Sequence, residues 1–452
     1  MHGTILKSIG LSAILFSVSL PAHGSEGKKD RVIQQIVREI SPARLDGTVR
    51  KLVSFGTRNT LSNQDDPTRG IGAARRWLVS QLNEIATSSG GKLKVEEQSF
   101  IQPPAARVPG PTRLTNIVAT LPGTLTGDQQ RYLIVSGHYD SMCTSPTDAV
   151  GDAPGADDDA SGTAAVLELA RVMTQHGPYR ATIVFLMVPG EEQGLLGSTH
   201  FAADAAEHRL PIDSMFTNDI IGSSTGAHGE RDAHTIRLFS EGVPSAETTA
   251  QAEVRRSIGG ENDSKSRQLA RLIQETARKY VPEMKVRLIY RRDRYLRGGD
   301  HIPFLERGFP AVRFTEPNED YRHQHQNVRD ENGISYGDLP EYTDPEYIAA
   351  AARVNAAALA EMALAPAPPS RVGIVVSGLA TDTTLTWRES PGAAGYEVVW
   401  RDTAESTWTH SKATDKALKA TLPFSKDNVI FGVRAVDASG HRSVAVSPVP
   451  VR

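Results

Sequence analysis

Two short apolar runs, Tyr132–Ser136 (YLIVS) and Thr182–Val188 (TIVFLMV), constrain this chain more than any other feature. Neither contains a charge, which is the pattern of a strand buried on both faces of a sheet. Between them Thr163–Gln175 has helical character, with Ser161 or Asp159 as N-cap and Gly177-Pro178 as the stop. A second helical stretch follows Gly197, then a strand at Ser214–Ile221, a helix at Gln268–Tyr280 and a strand at Ala311–Thr315. Strands alternating with helices predict an α/β domain with a mostly parallel mixed sheet flanked by helices.

The flanks differ from this centre. From Asp30 to Gln102 the chain reads as helices: Val32, Ile33, Ile36, Val37 and Ile40 recur at helical spacing, and Ala73, Ala74, Trp77, Leu78, Leu82 and Ile85 do so again. The stretch Gly222–Asn262 shows little periodicity and predicts a long loop that covers a site or moves. At Ala365-Pro366-Ala367-Pro368-Pro369 a stiff Pro-rich linker is expected. Beyond it, alternating segments at Leu385–Arg388, Tyr396–Arg401 and Ile430–Val436 predict a small all-β sandwich domain. A length of 452 residues accommodates both units, since a single core stops growing near ~250–300 residues.

The N-terminus carries Lys7, an apolar run from Ile9 to Leu20 and the small-residue site Pro21-Ala22-His23-Gly24. That is the order of a signal peptide, and the run falls short of the ~20 residues a spanning helix needs. The expected organisation is a signal peptide over 1–24, an enzymatic domain over 25–364, the linker over 365–369 and the sandwich over 370–452. The mature protein is expected to be exported, periplasmic or secreted, without stable membrane insertion. Because 50 Lys+Arg stand against 53 Asp+Glu, nothing favours a nucleic-acid partner. The single cysteine, Cys143, allows no intrachain disulfide, so an exported chain relies on its core and on metal.

Chemistry collects where the strands end, which is where open α/β sheets bind ligands. YLIVS runs into Gly137-His138-Tyr139-Asp140, TIVFLMV into Pro189-Gly190-Glu191-Glu192, and SMFTN into Asp219. An acidic loop, Gly155-Ala156-Asp157-Asp158-Asp159-Ala160-Ser161-Gly162, opens onto a helix, and Tyr321-Arg322-His323-Gln324-His325 follows the last strand. Taken singly, the aspartates could cap the helix, the glutamates could be surface and each His could be structural. Together, two imidazoles, two terminal carboxylates and one bridging carboxylate suit a two-zinc site, with +4 balanced by three carboxylates and a hydroxide. A further carboxylate beside the metals suits a general base. Ser161 lacks a Gly-x-Ser-x-Gly elbow, so a serine hydrolase is disfavoured.

The motifs GHYDS, PGADDDASG, PGEEQGLLGS and the late His resemble the co-catalytic zinc peptidase family of bacterial leucyl aminopeptidase, aminopeptidase Y and glutamate carboxypeptidase, from about Val32 to Leu364. The resemblance implies a zinc exopeptidase fold and two Zn2+ per chain. It implies that His138 and Asp219 hold one zinc, that Glu192 and the late His hold the other, and that Asp158 bridges them. Glu191 is then the general base and Asp140 the group that orients His138. It also implies a cis peptide between Asp158 and Asp159. His325 is favoured as the late ligand, with His323 competing, and Gln324 stands where some relatives carry a Tyr. Asp300 and His301, in Gly-Asp-His-Ile-Pro-Phe, match a segment on the substrate side, with a structural turn as the alternative.

The resemblance implies peptide or protein substrates and aminopeptidase activity above all. Carboxypeptidase specificity on the same metals, glutaminyl cyclisation with one zinc and a non-catalytic ectodomain are the alternatives. The C-terminal block resembles a fibronectin type III module through Trp387, Tyr396, Trp400, Leu422-Pro423 and Phe431–Val436, with Val429 in place of the corner tyrosine. Such a module is expected to bind a surface or polymer, or to act as a spacer. On this reading the enzymatic core is complete before the linker, so truncation after Leu364 should leave it folded and active.

Overall fold

A computed structural model describes residues 30–452; the expected signal segment over 1–24 lies outside them. The centre is a mixed sheet built from β1 (Lys94–Gln102), β2 (Thr112–Leu121), β3 (Tyr132–His138), β4 (Thr182–Val188), β5 (Ile212–Asn218), β6 (Thr235–Phe239), β7 (Lys285–Ile289) and β8 (Ala311–Thr315). Their spatial order is β1-β2-β4-β3-β5-β8-β6-β7. The inner four, β4, β3, β5 and β8, are mutually parallel, so all their carboxyl ends emerge on one edge. Antiparallel pairings of β1 with β2, β2 with β4, and β6 with β8 make the sheet mixed.

Both faces of this sheet are covered, as the unbroken apolar runs require. Side chains alternate across a strand. Leu133, Val135, Ile183, Phe185 and Met187 therefore enter one core, and Ile134, Val184, Leu186 and Val188 the other. The first core is closed by α1 (Arg31–Glu39), α2 (Pro42–Val53), α3 (Ile71–Ser88) and α4 (Gly162–Gln175). The second is closed by α5 (Leu196–Glu207), joined below by α8. The remaining helices are α6 (Thr249–Ile258), α7 (Lys265–Tyr280), the short α8 (Ile302–Leu305) and α9 (Pro345–Leu364). By length and composition α9 could cross a membrane, yet 89% of its apolar window is buried between α1, α2, α4 and α7, where its alanines allow close packing.

Three expectations are corrected. Lys94–Gln102 is a strand, not helix; β1 is an edge strand with one open face, so its charges mask the alternation. Gly222–Asn262 is not one loop, because it contains β6 and α6. No residue of α6 is buried, so it carries no apolar stripe, and a Thr248–Gln251 capping box fixes its start instead. The third strand spans Ile212–Asn218, so Asp219 to Ile221 lie past its end.

Residues 370–451 form two further sheets, β15-β12-β11-β17 and β14-β13-β16: β11 (Ser370–Val375), β12 (Thr383–Arg388), β13 (Gly395–Asp402), β14 (His410–Ala413), β15 (Lys419–Leu422), β16 (Val429–Val436) and β17 (Val449–Val451). They close on Leu385, Trp387, Tyr396, Val398, Leu422, Phe431 and Val433. A two-stranded hairpin of Arg329–Glu331 and Ile334–Tyr336, β9 and β10 in chain order, lies before α9. The Pro-rich segment does not stand off as a free spacer. Ala365 is fully buried, and Arg131 Nη2 donates to its carbonyl over 2.8 Å.

Candidate metal centre

Because β3, β4, β5 and β8 run parallel, His138, the Glu191-Glu192 turn, Asp219 and the segment bearing His325 are delivered to the same edge. Asp158 reaches that edge from the turn before α4, where Gly162 packs so close to β5 that a Cβ would lie 2.2 Å from the Asn218 carbonyl oxygen. The Asp158–Asp159 peptide is cis, as the resemblance implies. Asp159 turns away from the cluster and accepts from the backbone N–H groups of His138 and Gly162. Asp338 accepts from the N–H groups of Asp157 and Asp158, each over 2.8 Å.

The side chains form two overlapping trios, His138–Asp158–Asp219 and Asp158–Glu192–His325, with the ligand atoms of each within 4.8 Å of one another. His138 Nε2 lies 3.1 Å from Asp158 Oδ1. His325 Nε2 lies 2.8 Å from Asp158 Oδ2 and 3.1 Å from Glu192 Oε2. The structure therefore brings His325 to the cluster. His323 stacks on Tyr342 at 3.7 Å between ring centroids and stays outside it. Asp140, fully buried, sits 3.3 Å from His138 Nδ1 and accepts from Thr60 Oγ1. Glu191, in the turn after β4 and directly before Glu192, belongs to neither trio.

The polar accounting suits a bound cation. His138 Nε2, His325 Nε2 and Glu192 Oε1 are buried without a hydrogen-bond partner, an expensive arrangement unless something else binds them. Imidazole nitrogen with carboxylate oxygen is a donor set that suits zinc, so the residues fit the metal the motifs imply. Burial works against the charge of Asp158, but His325 and His138 hold its carboxyl well below the usual range. Burial also disfavours His325 as a cation, yet Glu192 and Asp158 push it up to about 11. Glu191 is held well above the carboxylate range by burial, with Asp219, Glu192 and Asp300 adding to it.

Asp300 and His301 are as buried as the ligands themselves. They are 2% and 0% exposed, and His301 Nε2 lies 2.8 Å from the Arg292 carbonyl oxygen. The preceding Gly299 stands close to Asp219, where a Cβ would lie 3.3 Å from Oδ2. Sequence reasoning missed Arg313, buried within β8, whose Nη2 donates to Asp219 Oδ1 over 2.9 Å. The signal for it was a charge inside an otherwise apolar strand. It also missed Arg58, which donates to the carbonyls of Tyr139, Pro154 and Gly155 and ties the loop between His138 and Asp158 to the N-terminal helices. Three of the non-glycine residues with left-handed backbone, Leu195, Ile220 and His325, stand in or beside these segments. Such residues are held only where surrounding structure over-determines them, and they cluster at functional sites.

A parallel sheet edge carrying two imidazole–carboxylate trios with one shared carboxylate, and a further carboxylate beside them, defines a metal-dependent hydrolase. The comparisons narrow the class. The chain belongs to peptidase family M28, whose family model matches residues 116–344. A probable zinc metalloprotease of Leptosphaeria maculans is 48% identical over 92% of this chain and 97% of its own length. Among solved structures, LapB from Legionella pneumophila matches with a TM-score of 0.51 at 18% identity, covering 73% of this chain and 74% of its own. The LapA aminopeptidase of the same organism matches with a TM-score of 0.50 at 17% identity over 78% of each chain. The solved structures agree with the α/β fold, and the family model and the metalloprotease relative agree with a zinc peptidase.

Proposed function

We propose that this chain is an exported zinc exopeptidase, acting as an aminopeptidase on peptides through two zinc ions. The observation that carries the reading is the position of Asp158, which both trios share, with Glu191 free beside them. In this reading His138 and Asp219 hold one ion, Glu192 and His325 the other, and Asp158 both. Zinc bound there would acidify a water and polarise the scissile carbonyl. Glu191 takes the proton from the attacking water and passes it to the leaving amine, the role of a carboxylate that stands beside the ligands and is not one of them. Asp140 keeps the His138 ring oriented with Nε2 toward Asp158. The family and the metalloprotease relatives support peptide hydrolysis, and the LapA aminopeptidase shares the fold. Export rests on the N-terminal sequence alone.

The test joins zinc counting to a substrate panel. Two zinc ions per chain and release of the N-terminal residue from free peptides, with N-blocked peptides spared, is the expected result. Cleavage of N-blocked peptides at a free C-terminus would replace aminopeptidase with carboxypeptidase specificity. One zinc per chain with cyclisation of N-terminal glutamine would remove the hydrolase reading.

A further inference from the structure

The sandwich docks on the enzymatic domain beside a stretch of chain that borders the metal centre. Asp263, just before α7, accepts Arg401 Nη2 from β13 on both carboxylate oxygens, over 2.9 Å each, and also Arg271 Nη1 over 3.0 Å. These groups are buried, with Arg271 at 0% and Arg401 at 1% exposure. Arg271 Nε donates to the carbonyl of Ser406, in the turn between β13 and β14, over 2.8 Å. Trp408 from the same turn lies 5.5 Å from the guanidinium of Arg271 and 5.6 Å from that of Arg401. The cluster reaches Tyr290: the Arg267 guanidinium lies 3.9 Å from its ring, and its hydroxyl donates to the Ser406 carbonyl over 3.5 Å.

Tyr290 is the stem of the loop 290–299. The strand before it, β7, is the edge of the sheet and is paired on one side only, with β6. The far end of the loop is part of the wall of the metal centre. Gly298 accepts from Arg313 Nη1 through its carbonyl over 2.8 Å, and Asp293 accepts from the same nitrogen. Arg313 in turn donates to Asp219. A Cβ on Gly299 would lie 3.3 Å from Asp219 Oδ2, and one on Gly298 would lie 3.7 Å from Leu195, just past the Glu191-Glu192 turn. Between stem and wall the loop exposes Tyr295 and Leu296.

We infer that the sandwich is a positioning element of the active site: Arg401 and the Ser406–Trp408 turn clamp the Tyr290 stem, and through it the loop 290–299 that shapes the substrate side of the metal centre. The edge strand lacks a neighbour on that side, and the sandwich supplies the missing support. This inference rests on the peptidase reading for its effect on substrate, but not for its effect on the loop.

The experiment uses the zinc-loaded full chain with R401Q and W408A, and R434Q as the matched control. Arg434 also joins the two domains, donating to Glu275 one turn further along α7, but touches neither Ser406 nor Tyr290. Amide exchange across 290–299, zinc per chain, and kcat and KM on a short peptide are measured for each. R401Q and W408A are expected to speed exchange across the loop and to raise KM by about 3- to 30-fold, the span that coupling of this kind gives. Zinc content and kcat should change little, R434Q should match the parent in both readouts, and R401K should recover part of the loss. Loop exchange that is unchanged in R401Q and W408A, or that rises equally in R434Q, overturns the inference. If R401Q fails to fold, W408A and R401K carry the same two outcomes. Failure of the peptidase reading shows separately, as a parent that turns over no peptide while loop exchange still responds.

Discussion

Two of the buried charge clusters among the described residues are opposites. Around Asp158 the acids outnumber the cations: Asp140, Asp158, Glu191, Glu192, Asp219 and Asp300 stand against Arg313 and two imidazoles, and several donor atoms have no protein partner. Around Asp263 the cations outnumber the acids, since Arg271 and Arg401 share one carboxylate and Arg267 stands beside them. There most of the excess meets protein groups, the carbonyls of Ser240, Asn262, Glu405 and Ser406 and the rings of Tyr290 and Trp408, while Arg267 Nε and Arg401 Nε have no partner. A buried acidic excess left open is an invitation to metal, whereas a basic excess closed by carbonyls is a joint between domains. The comparison separates sites from structure better than burial or charge count alone.

The strongest test of that distinction is Asp158→Asn. Only the first cluster should respond: both trios lose their common member, so zinc per chain by elemental analysis should fall toward zero and peptide turnover should be abolished. Glu191→Gln should keep zinc and lower kcat by ~10²–10⁴, the usual loss for a missing general base. Equal loss of metal in that variant would reverse the roles of Glu191 and Glu192.

The second cluster should answer in stability and not in metal. Asp263→Ala leaves Arg271 and Arg401 buried without a carboxylate and should cost ~3–5 kcal/mol, read by urea unfolding. Truncation after Leu364 exposes the same arginines and should give a destabilised enzyme, contrary to the expectation from the Pro-rich segment. A smaller, pH-dependent effect belongs to Glu397 in the sandwich. Burial opposes its charge, but Arg434 and Arg442 hold its carboxyl below the usual range. Its contribution is present above the unfolded pKa of about 4.3 and is lost as pH falls through the lower folded value. Glu397→Gln should therefore narrow the gap in Tm between pH 6 and pH 3. Least of all, Asp152→Asn, which breaks the exposed pair with Arg69, should shift stability by under ~1 kcal/mol.

Much of this was legible in the sequence because the informative residues sit in strongly patterned segments. Thr182–Val188 and Ala311–Thr315 read correctly as strands, since central parallel strands are apolar on both faces. The ligand segments were legible because each follows such a strand. The edges were not: β1 mixes charge into its open face, and β7 places Lys285 and Arg287 on its exposed positions. Arg313 and Asp338 could not be placed from spacing, because their partners Asp219 and Asp158 are distant in sequence and meet only through the sheet. The docking of the sandwich was hidden for the same reason, as prolines at 366, 368 and 369 report stiffness and say nothing of what they lie against.

Sharing Asp158 between two trios also sets an order of completion along the growing chain. His138, Asp158 and Asp219 have all been synthesised once residue 219 is made, so the donors of the first trio are available early. The second trio waits for His325, and Arg313, the neighbour of Asp219, arrives shortly before it. A nascent chain that stalls between these points carries half a centre, with Glu192 waiting for an imidazole that does not yet exist. Domains fold from the N-terminus as they emerge, so hydrolytic competence is withheld until His325, more than two thirds of the way along the 452 residues, has been made.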